Sequence, residues 1–226
     1  MKKNNRDLSL DQFIEFALYD KVDGYYMKKN PFGKEGDFIT APNITRLFSE
    51  IIAIWVVTFW KSIGSPKKFN LLELGAGNGE MMKVIWATLK NFPECFNSCS
   101  FLIHEKSDFL INKQRRNLKS EKISWIKDIK QVNSHPTIFL ANEFFDALPI
   151  KQFFKKKEDW FERFIDLKEE NKAEFKEQLT DIKKIEQQLN FEISKNQNII
   201  EYSPDTFKYL KNICSIVNKN DGGILI

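Results

Sequence analysis

A run of glycines between residues 71 and 79 has the spacing of a ligand-binding turn. The run reads Leu-Leu-Glu-Leu-Gly-Ala-Gly-Asn-Gly, and its glycines are Gly75, Gly77 and Gly79. A short apolar segment precedes the turn and a helical pattern follows it. A strand, a glycine-rich turn and a helix in this order hold a nucleotide-like ligand at the helix N-terminus, beside the carboxyl end of a sheet. The three glycines are therefore the first candidate binding residues.

Acidic residues around this turn discriminate between ligand classes. A dinucleotide-binding fingerprint requires glycine where this chain has Glu80, and a carboxylate there would repel a pyrophosphate. S-adenosyl-L-methionine (AdoMet) has no phosphate, and Glu73 is suited to bind its ammonium group directly or through water. We therefore expect AdoMet as the cofactor. The alternative is that the glycines only permit a tight connection between strand and helix.

Two further acids follow later strands and are candidates for binding the adenosine part of the cofactor. Glu105 comes directly after an apolar strand, where an acid binds the ribose hydroxyls in dinucleotide folds. Asp128 lies just beyond the third predicted strand, residues 123–126, and could accept a hydrogen bond from the adenine amino group. An ordinary surface acid is the alternative for Asp128.

Three polar residues follow the fourth predicted strand (137–141), at the same carboxyl edge as the glycine turn: Asn142, Glu143 and Asp146. Methyl transfer from a sulfonium is an in-line displacement, so the protein aligns the reactants and stabilises changing charge without a metal or a covalent intermediate. Glu143 is the first candidate catalytic residue and Asp146 the second carboxylate. The alternative is that Asp146 caps a short helix and Asn142 closes a turn.

Asp37, Phe38 and Thr40 lie in a glycine-containing loop before the first sheet strand. Loops of this kind often close over a ligand. We expect these three residues to contact the cofactor, with a plain connector as the alternative.

Short apolar runs alternate with helical patterns from residue 69 onwards, which is typical of an α/β fold built on a parallel sheet. The predicted strands are residues 69–74, 101–104, 123–126, 137–141 and 222–226. Between the first two, apolar residues repeat at the spacing of a crossover helix, which parallel strands require. The sequence therefore predicts a Rossmann-like sheet.

Helical patterns and a loop precede the sheet. Ser9 and Gln12 form the pattern of a capping box, which predicts a helix ending near residue 20. Residues 21–42 are rich in glycine and proline and predict a loop without regular elements. Residues 45–61 predict a helix that is apolar nearly all round and therefore buried.

The change of pattern after residue 150 predicts an insertion. We divide the chain into residues 1–66, with helices and a cofactor-closing loop, and residues 67–226, the core with an insertion at 151–203. The insertion is predicted to contain a hairpin, a helix and a short strand, within residues 150–167, 175–189 and 198–202.

The composition narrows the class of protein further. Three cysteines, at positions 95, 99 and 214, suit neither a disulfide framework nor a structural metal site, which favours a reducing, cytoplasmic location. No apolar run approaches the roughly 18 residues that span a bilayer. The net charge of +4 is too mild to indicate a nucleic-acid partner. We expect a cytoplasmic protein that neither inserts into a membrane nor binds nucleic acid.

Several runs of residues together resemble the MidA family of class I AdoMet-dependent methyltransferases. They are Ala17-Leu18-Tyr19-Asp20, Gly24-Tyr25-Tyr26, the run Gly-Asp-Phe-Ile-Thr-Ala-Pro at 36–42, the glycine turn, the run Asn-Glu-Phe-Phe-Asp-Ala-Leu-Pro at 142–149, and Trp160 with Glu162 and Arg163. The resemblance covers nearly the whole chain. Lys21 and Asn43 depart from it, where family members often have proline and glutamate.

The resemblance implies AdoMet as cofactor, methyl transfer to an arginine of a protein partner, and a role in the assembly of respiratory complex I. With an arginine as the nucleophile, the carboxylates of Glu143 and Asp146 can grip its guanidinium in a forked geometry. The family also has a C-terminal portion that begins Asp-Tyr-Gly after the strand that in this chain ends at Ile226. We therefore expect the C-terminal strands of the sheet to be missing. A homodimer is left open.

Two other functions are compatible with the same residues. A noncatalytic assembly or binding protein can retain a methyltransferase fold, because fold does not determine chemistry. A methyltransferase for another substrate, such as nucleic acid, is less favoured, since the fourth strand ends in Asn-Glu-Phe-Phe rather than Asn-Pro-Pro-aromatic and the charge is mild.

Overall fold

The computed structural model describes residues 7–29, 31–33, 36–119, 122–168 and 172–226. The chain forms two compact units, each with a sheet of its own. The first unit comprises residues up to Asp20 together with Leu148–Lys208, and the second comprises Lys21–Ala147 and Tyr209–Ile226. The glycine turn lies in the second unit.

Strands and helices are numbered in chain order within each class. The strands are β1 (Asp7–Ser9), β2 (Phe69–Leu74), β3 (Cys99–His104), β4 (Ile123–Ile126), β5 (Thr137–Leu140), β6 (Lys151–Lys156), β7 (Asp159–Leu167), β8 (Ala173–Thr180), β9 (Ile199–Tyr202) and β10 (Gly222–Leu225). The α-helices are α1 (Leu10–Tyr19), α2 (Tyr25–Lys28), α3 (Ala41–Ile44), α4 (Arg46–Ser62), α5 (Glu80–Leu89), α6 (Pro93–Ser98), α7 (Asp108–Leu118), α8 (Ile182–Leu189) and α9 (Pro204–Asn220). Short 3-10 helices cover Ile129–Gln131 and Phe145–Ala147.

The sheet of the second unit is parallel, with the strand order β10-β5-β2-β3-β4. All six residues of the central strand β2 are buried, because helices cover both faces of a parallel sheet. Successive side chains point to opposite faces, so Leu71 packs into one apolar core while Leu72 and Leu74 pack into the other. The predicted Rossmann-like α/β fold is confirmed.

Helices on each face complete these two cores. Val56 of α4 and Ile85 of α5 belong to the core with Leu71, and Ile213 of α9 belongs to the core with Leu72. The turn between β2 and α5 therefore joins a central strand to a well-packed helix. This arrangement fixes the glycine turn at the carboxyl edge of the sheet.

The sheet of the first unit is antiparallel. Its strands follow the order β1-β7-β6-β9, and β8 pairs with β7. Phe153, Ile182 and Ile200 form its buried core. The predicted hairpin is present as β6 and β7, and the predicted short strand is present as β9.

Residues 173–180 form strand β8, although the sequence predicts a helix there. Phe175 and Leu179 are spaced for a helix, but an even separation also puts them on one face of a strand. Pairing with β7 decides between the two, since it sets Phe175 opposite Ile165 and Leu179 opposite Phe161. Helix α8 begins only at Ile182.

The N-terminal predictions are confirmed in part. The backbone N–H of Ser9 donates to Oε1 of Gln12 at 3.2 Å, as expected for the start of α1. The predicted loop at 21–42 contains α2 and the start of α3, which are single turns too short to show a helical period. The bounds of the compact units also differ from the predicted domains, because β1 pairs with β7 and so lies with the insertion.

Helix α4 is not buried all round, although the sequence predicts that it is. Leu47, Ile51 and Ile54 are about half exposed or more, whereas Ala53 and Val56 are fully buried. The apolar composition of the helix hides this difference, since only the face that packs on the sheet and on α5 is covered. In the part of the chain that the structure describes, no helix is long and apolar enough to cross a membrane.

We expect Ile85→Ala to lower the free energy of unfolding by about 2–5 kcal/mol, because it deletes a fully buried side chain of α5. Ile51→Ala in α4 is the matched control, with an expected change within about 0.5 kcal/mol, since Ile51 is 60% exposed. Urea unfolding followed by circular dichroism measures both. Equal losses for the two variants would contradict the packing described for α5.

Candidate functional site

The turn after β2 needs glycine at the predicted positions. The φ angles of Gly75, Gly77 and Gly79 are +64°, +54° and +83°, in the left-handed region that side chains disfavour. A Cβ atom at Gly75 would also come within 2.8 Å of the Phe144 ring, and one at Gly77 within 3.2 Å of the Phe32 ring. The turn therefore brings bare backbone to its surface.

A cleft lies against this turn. The cleft has a volume of about 410 Å³, including space open to solvent. It is lined by Phe32, Thr40, Pro42, Asn43, Glu73, Gly75, Ala76, Gly77, Asn78, Met81, Asn142 and Glu143. The described lining contains two acids and no lysine, arginine or histidine. A lining of this kind favours a ligand that carries a positive charge.

Glu73 is the more deeply buried of the two acids that line the cleft. Its side chain is 3% exposed, and its Oε2 atom has no hydrogen-bond partner among the described residues. Burial raises the pKa of Glu73 to about 8, the charge of Glu105 adds to the shift, and the backbone N–H of Met82 opposes it. An orphaned carboxyl oxygen of this kind costs about 1–3 kcal/mol or more. A hydrogen-bond donor with positive charge would satisfy it.

Glu105 raises the pKa of Glu73 through its charge but is not among the residues that line the cleft. Its Oε1 accepts from the backbone N–H of Ser107 at 3.0 Å, and its Oε2 accepts from Nε2 of Gln114 at 3.1 Å. Burial raises its pKa. Its proposed contact with a ribose stays a prediction.

Gln114 is a structural member of the site that the sequence analysis missed. Its Nε2 donates to the carbonyl of Gly77 at 2.9 Å as well as to Glu105, and its Oε1 accepts from the indole N–H of Trp125 at 2.8 Å. The side chain is fully buried. It therefore ties the glycine turn to the second acid, a contact across the fold that no local pattern reveals.

The segment before α4 meets the turn through a pair of asparagines. Nδ2 of Asn78 donates to Oδ1 of Asn43 at 2.7 Å, and Nδ2 of Asn43 donates to Oγ1 of Thr40 at 2.9 Å. Thr40 and Asn43 both line the cleft. The predicted contact of Thr40 with the cofactor stays a prediction. Neither asparagine was singled out as a site residue from the sequence.

Asp37, Phe38 and Asp128 are not brought to the cleft lining. Asp37 pairs with Nζ of Lys29 at 2.6 Å and accepts from the Tyr25 hydroxyl, and the Lys29 contact first and the Tyr25 contact second lower its pKa. Phe38 is 48% exposed. Asp128 caps the 3-10 helix that follows it, where its Oδ1 accepts from a backbone N–H at 2.9 Å. Their cofactor contacts stay predictions.

The motif after β5 contributes Asn142 and Glu143 to the cleft. Glu143 is exposed and has a φ of +49°, a strained conformation that costs about 1–3 kcal/mol for a non-glycine residue. Such strain persists only where the surroundings impose it. Asp146 lies in the next 3-10 helix, is exposed, and does not line the cleft.

The neighbouring aromatic cluster holds this strained segment. The Phe144 ring lies 5.0 Å from the Tyr209 ring and 6.4 Å from the His104 ring, between centroids. Nε2 of His104 lies 2.7 Å from the Tyr209 hydroxyl, and its Nδ1 lies 3.2 Å from the Ile126 carbonyl. Burial lowers the pKa of His104. The cluster is therefore a neutral, packed support for Glu143.

Known proteins match this chain in sequence. Residues 51–226 match a family model described as "Putative S-adenosyl-L-methionine-dependent methyltransferase". The protein arginine methyltransferase NDUFAF7, mitochondrial, of Xenopus tropicalis is 31% identical over 189 residues, which cover 73% of this chain and 44% of the relative. The Drosophila melanogaster homologue is 31% identical over 180 residues, covering 69% and 40%. The chain thus spans less than half the length of these curated relatives.

The relatives contradict the predicted cytoplasmic location, because they are named as mitochondrial proteins. The prediction rested on free cysteines. Such cysteines indicate a reducing compartment and do not distinguish the cytoplasm from another compartment of that kind.

A solved structure shares the fold. A Burkholderia thailandensis protein, solved bound to S-adenosyl-homocysteine, superposes with a TM-score of 0.76 at 20% identity, over 93% of this chain and 55% of that one. The fold agrees with the family match, which covers most of the chain. The chain belongs to this family of S-adenosyl-L-methionine-dependent methyltransferases, as its resemblance to the MidA family predicted.

Proposed function

We propose that this chain binds AdoMet in the cleft beside the glycine turn and transfers the methyl group to an arginine of a protein partner. The single observation that carries the proposal is the orphaned, fully buried carboxyl oxygen of Glu73 in a cleft whose described lining has no cation. The ammonium group of AdoMet would provide the hydrogen-bond donor that this oxygen lacks among the described residues. The arginine substrate rests on the names of the relatives and on the acids of the cleft.

In this proposal, each part of the ligand is bound by different residues around the cleft. Glu73 binds the ammonium group, while the bare backbone of Gly75 and Gly77 lets the ligand approach the N-terminus of α5. Glu105 accepts from the ribose hydroxyls and Asp128 from the adenine amino group. Thr40 closes the cleft from the other side, together with Asp37 and Phe38.

Glu143 and Asn142 orient the arginine side chain in this proposal. AdoMet supplies a methyl group on a sulfonium, and the protein needs only to align a nucleophile with it. The carboxylate of Glu143 is exposed at the cleft and can accept hydrogen bonds from a guanidinium, which also increases the electron density on the attacking nitrogen. Asp146, exposed three residues further on, is the second carboxylate. The strain at Glu143 supports a functional position.

We expect Gly77→Trp to abolish binding of S-adenosyl-homocysteine, because the new side chain enters the cleft from a left-handed position already 3.2 Å from the Phe32 ring. Gly64→Trp is the matched control, since Gly64 also has a positive φ of +88° but faces open space. Isothermal titration calorimetry measures affinity, and melting temperatures check that both variants fold. A folded Gly77→Trp variant that binds as well as the unchanged chain would exclude this cleft.

We expect Glu143→Gln to retain cofactor affinity and to lose methyl transfer by about 100-fold or more, because its charge acts on the reacting nitrogen. Labelled methyl groups incorporated into the arginines of extract proteins provide the measurement. Glu80→Gln is the control, since Glu80 pairs with Lys83 and does not line the cleft. Unchanged transfer by Glu143→Gln would remove Glu143 from the mechanism. Binding without any transfer by the unchanged chain would instead support the noncatalytic alternative.

A further inference from the structure

The described residues around Glu73 offer it no counter-charge. Glu105, directly after β3, acts on it through its charge, and Glu143 lines the same cleft. His104, the other titratable group at the end of β3, has a pKa lowered by burial and bonds to Tyr209. On the side of α5, the backbone N–H of Met82 is the donor. In the described part of the chain, the charged groups that face Glu73 are therefore acids.

We propose that Glu73 is a neutral acid before the ligand binds, and that an incoming α-ammonium group displaces its proton to solvent and bonds to Oε2. The inference rests on the proposed function, because it takes the ligand from that function. It adds that binding and deprotonation are one coupled event. Glu73 then selects for ligands that have a cationic amino group.

The physical reason is the cost of an isolated buried charge. An ionised carboxylate that is fully desolvated, next to a second buried acid, is strongly disfavoured until a cation compensates it. The ammonium group supplies that cation within hydrogen-bond distance. In the coupled step the carboxyl O–H bond breaks, the proton passes through the open side of the cleft to buffer, and an ammonium N–H donates to Oε2. No electrons are transferred.

The coupling gives cofactor affinity a defined pH dependence. With a pKa of about 8, Glu73 keeps its proton at pH 7 and loses it as the pH rises through 8. Binding must remove that proton at the lower pH, so affinity falls as the medium becomes more acidic. Between pH 8 and pH 6 we expect a loss of about 50-fold in affinity.

Calorimetry in buffers of different ionisation enthalpy measures the released proton directly. S-adenosyl-homocysteine is the probe. Its thioether is uncharged, so the α-ammonium group, which is protonated at pH 7, is its cationic group. We expect release of close to one proton per ligand bound, from titrations in phosphate and in Tris. Methylthioadenosine lacks the amino-acid part and is the matched ligand control, with binding that releases no proton.

Two variants distinguish the effect of Glu73 from that of Glu143, the other acid that lines the cleft. Glu73→Gln should abolish the proton release, and in the empty protein it should raise the melting temperature above pH 8, where it removes a buried charge. Glu143→Gln should keep the release, since Glu143 is exposed to solvent. S-adenosyl-homocysteine binding with less than a quarter of a proton released would overturn the inference alone. Absence of binding would overturn the proposed function, and the inference with it.

Discussion

A buried carboxyl group without a counter-charge is the constraint on which the rest of the site depends. Glu73 lies near the end of the central strand β2, where helices cover both faces of the sheet. A carboxylate at that depth is unfavourable without a cation. The described lining of the cleft provides acids, amides and apolar groups, and it leaves one side open to solvent. The described residues that line the cleft therefore provide no positive charge to compensate Glu73.

The geometry around this acid depends on aromatic rings that occupy the space beside the glycines. Phe144 lies where a side chain at Gly75 would be, and Phe32 lies near that place at Gly77. The same Phe144 packs on His104 and so supports the strained backbone of Glu143. Binding turn and candidate catalytic segment are thus parts of one packed cluster. A substitution in one of these two segments would therefore alter the packing of the other.

Predictions from the sequence were wrong where a pattern of apolar residues fits two structures equally well. The spacing of Phe175 and Leu179 suits a helix and a strand equally, and only the pairing with β7 decides for β8. The apolar surface of α4 gives no sign of which residues meet the sheet, so Ile51 was expected to be buried and is exposed. Single-turn helices such as α2 lie below the length at which periodicity can be detected. These errors share one cause. The pattern of neighbouring residues does not show which distant segment of the chain an element will pack against.

The sequence by itself determined the parallel α/β architecture, the glycine turn with Glu73, and the motif of Asn142 and Glu143. These features are local, because a strand, a turn and a helix follow one another within a few residues. Only the tertiary structure decided that Gln114 joins the turn to Glu105 and that Asn43 meets Asn78. The tertiary structure also decided that Oε2 of Glu73 has no hydrogen-bond partner among the described residues. Hydrogen-bond partners and burial depend on segments distant in sequence, so no local pattern contains them.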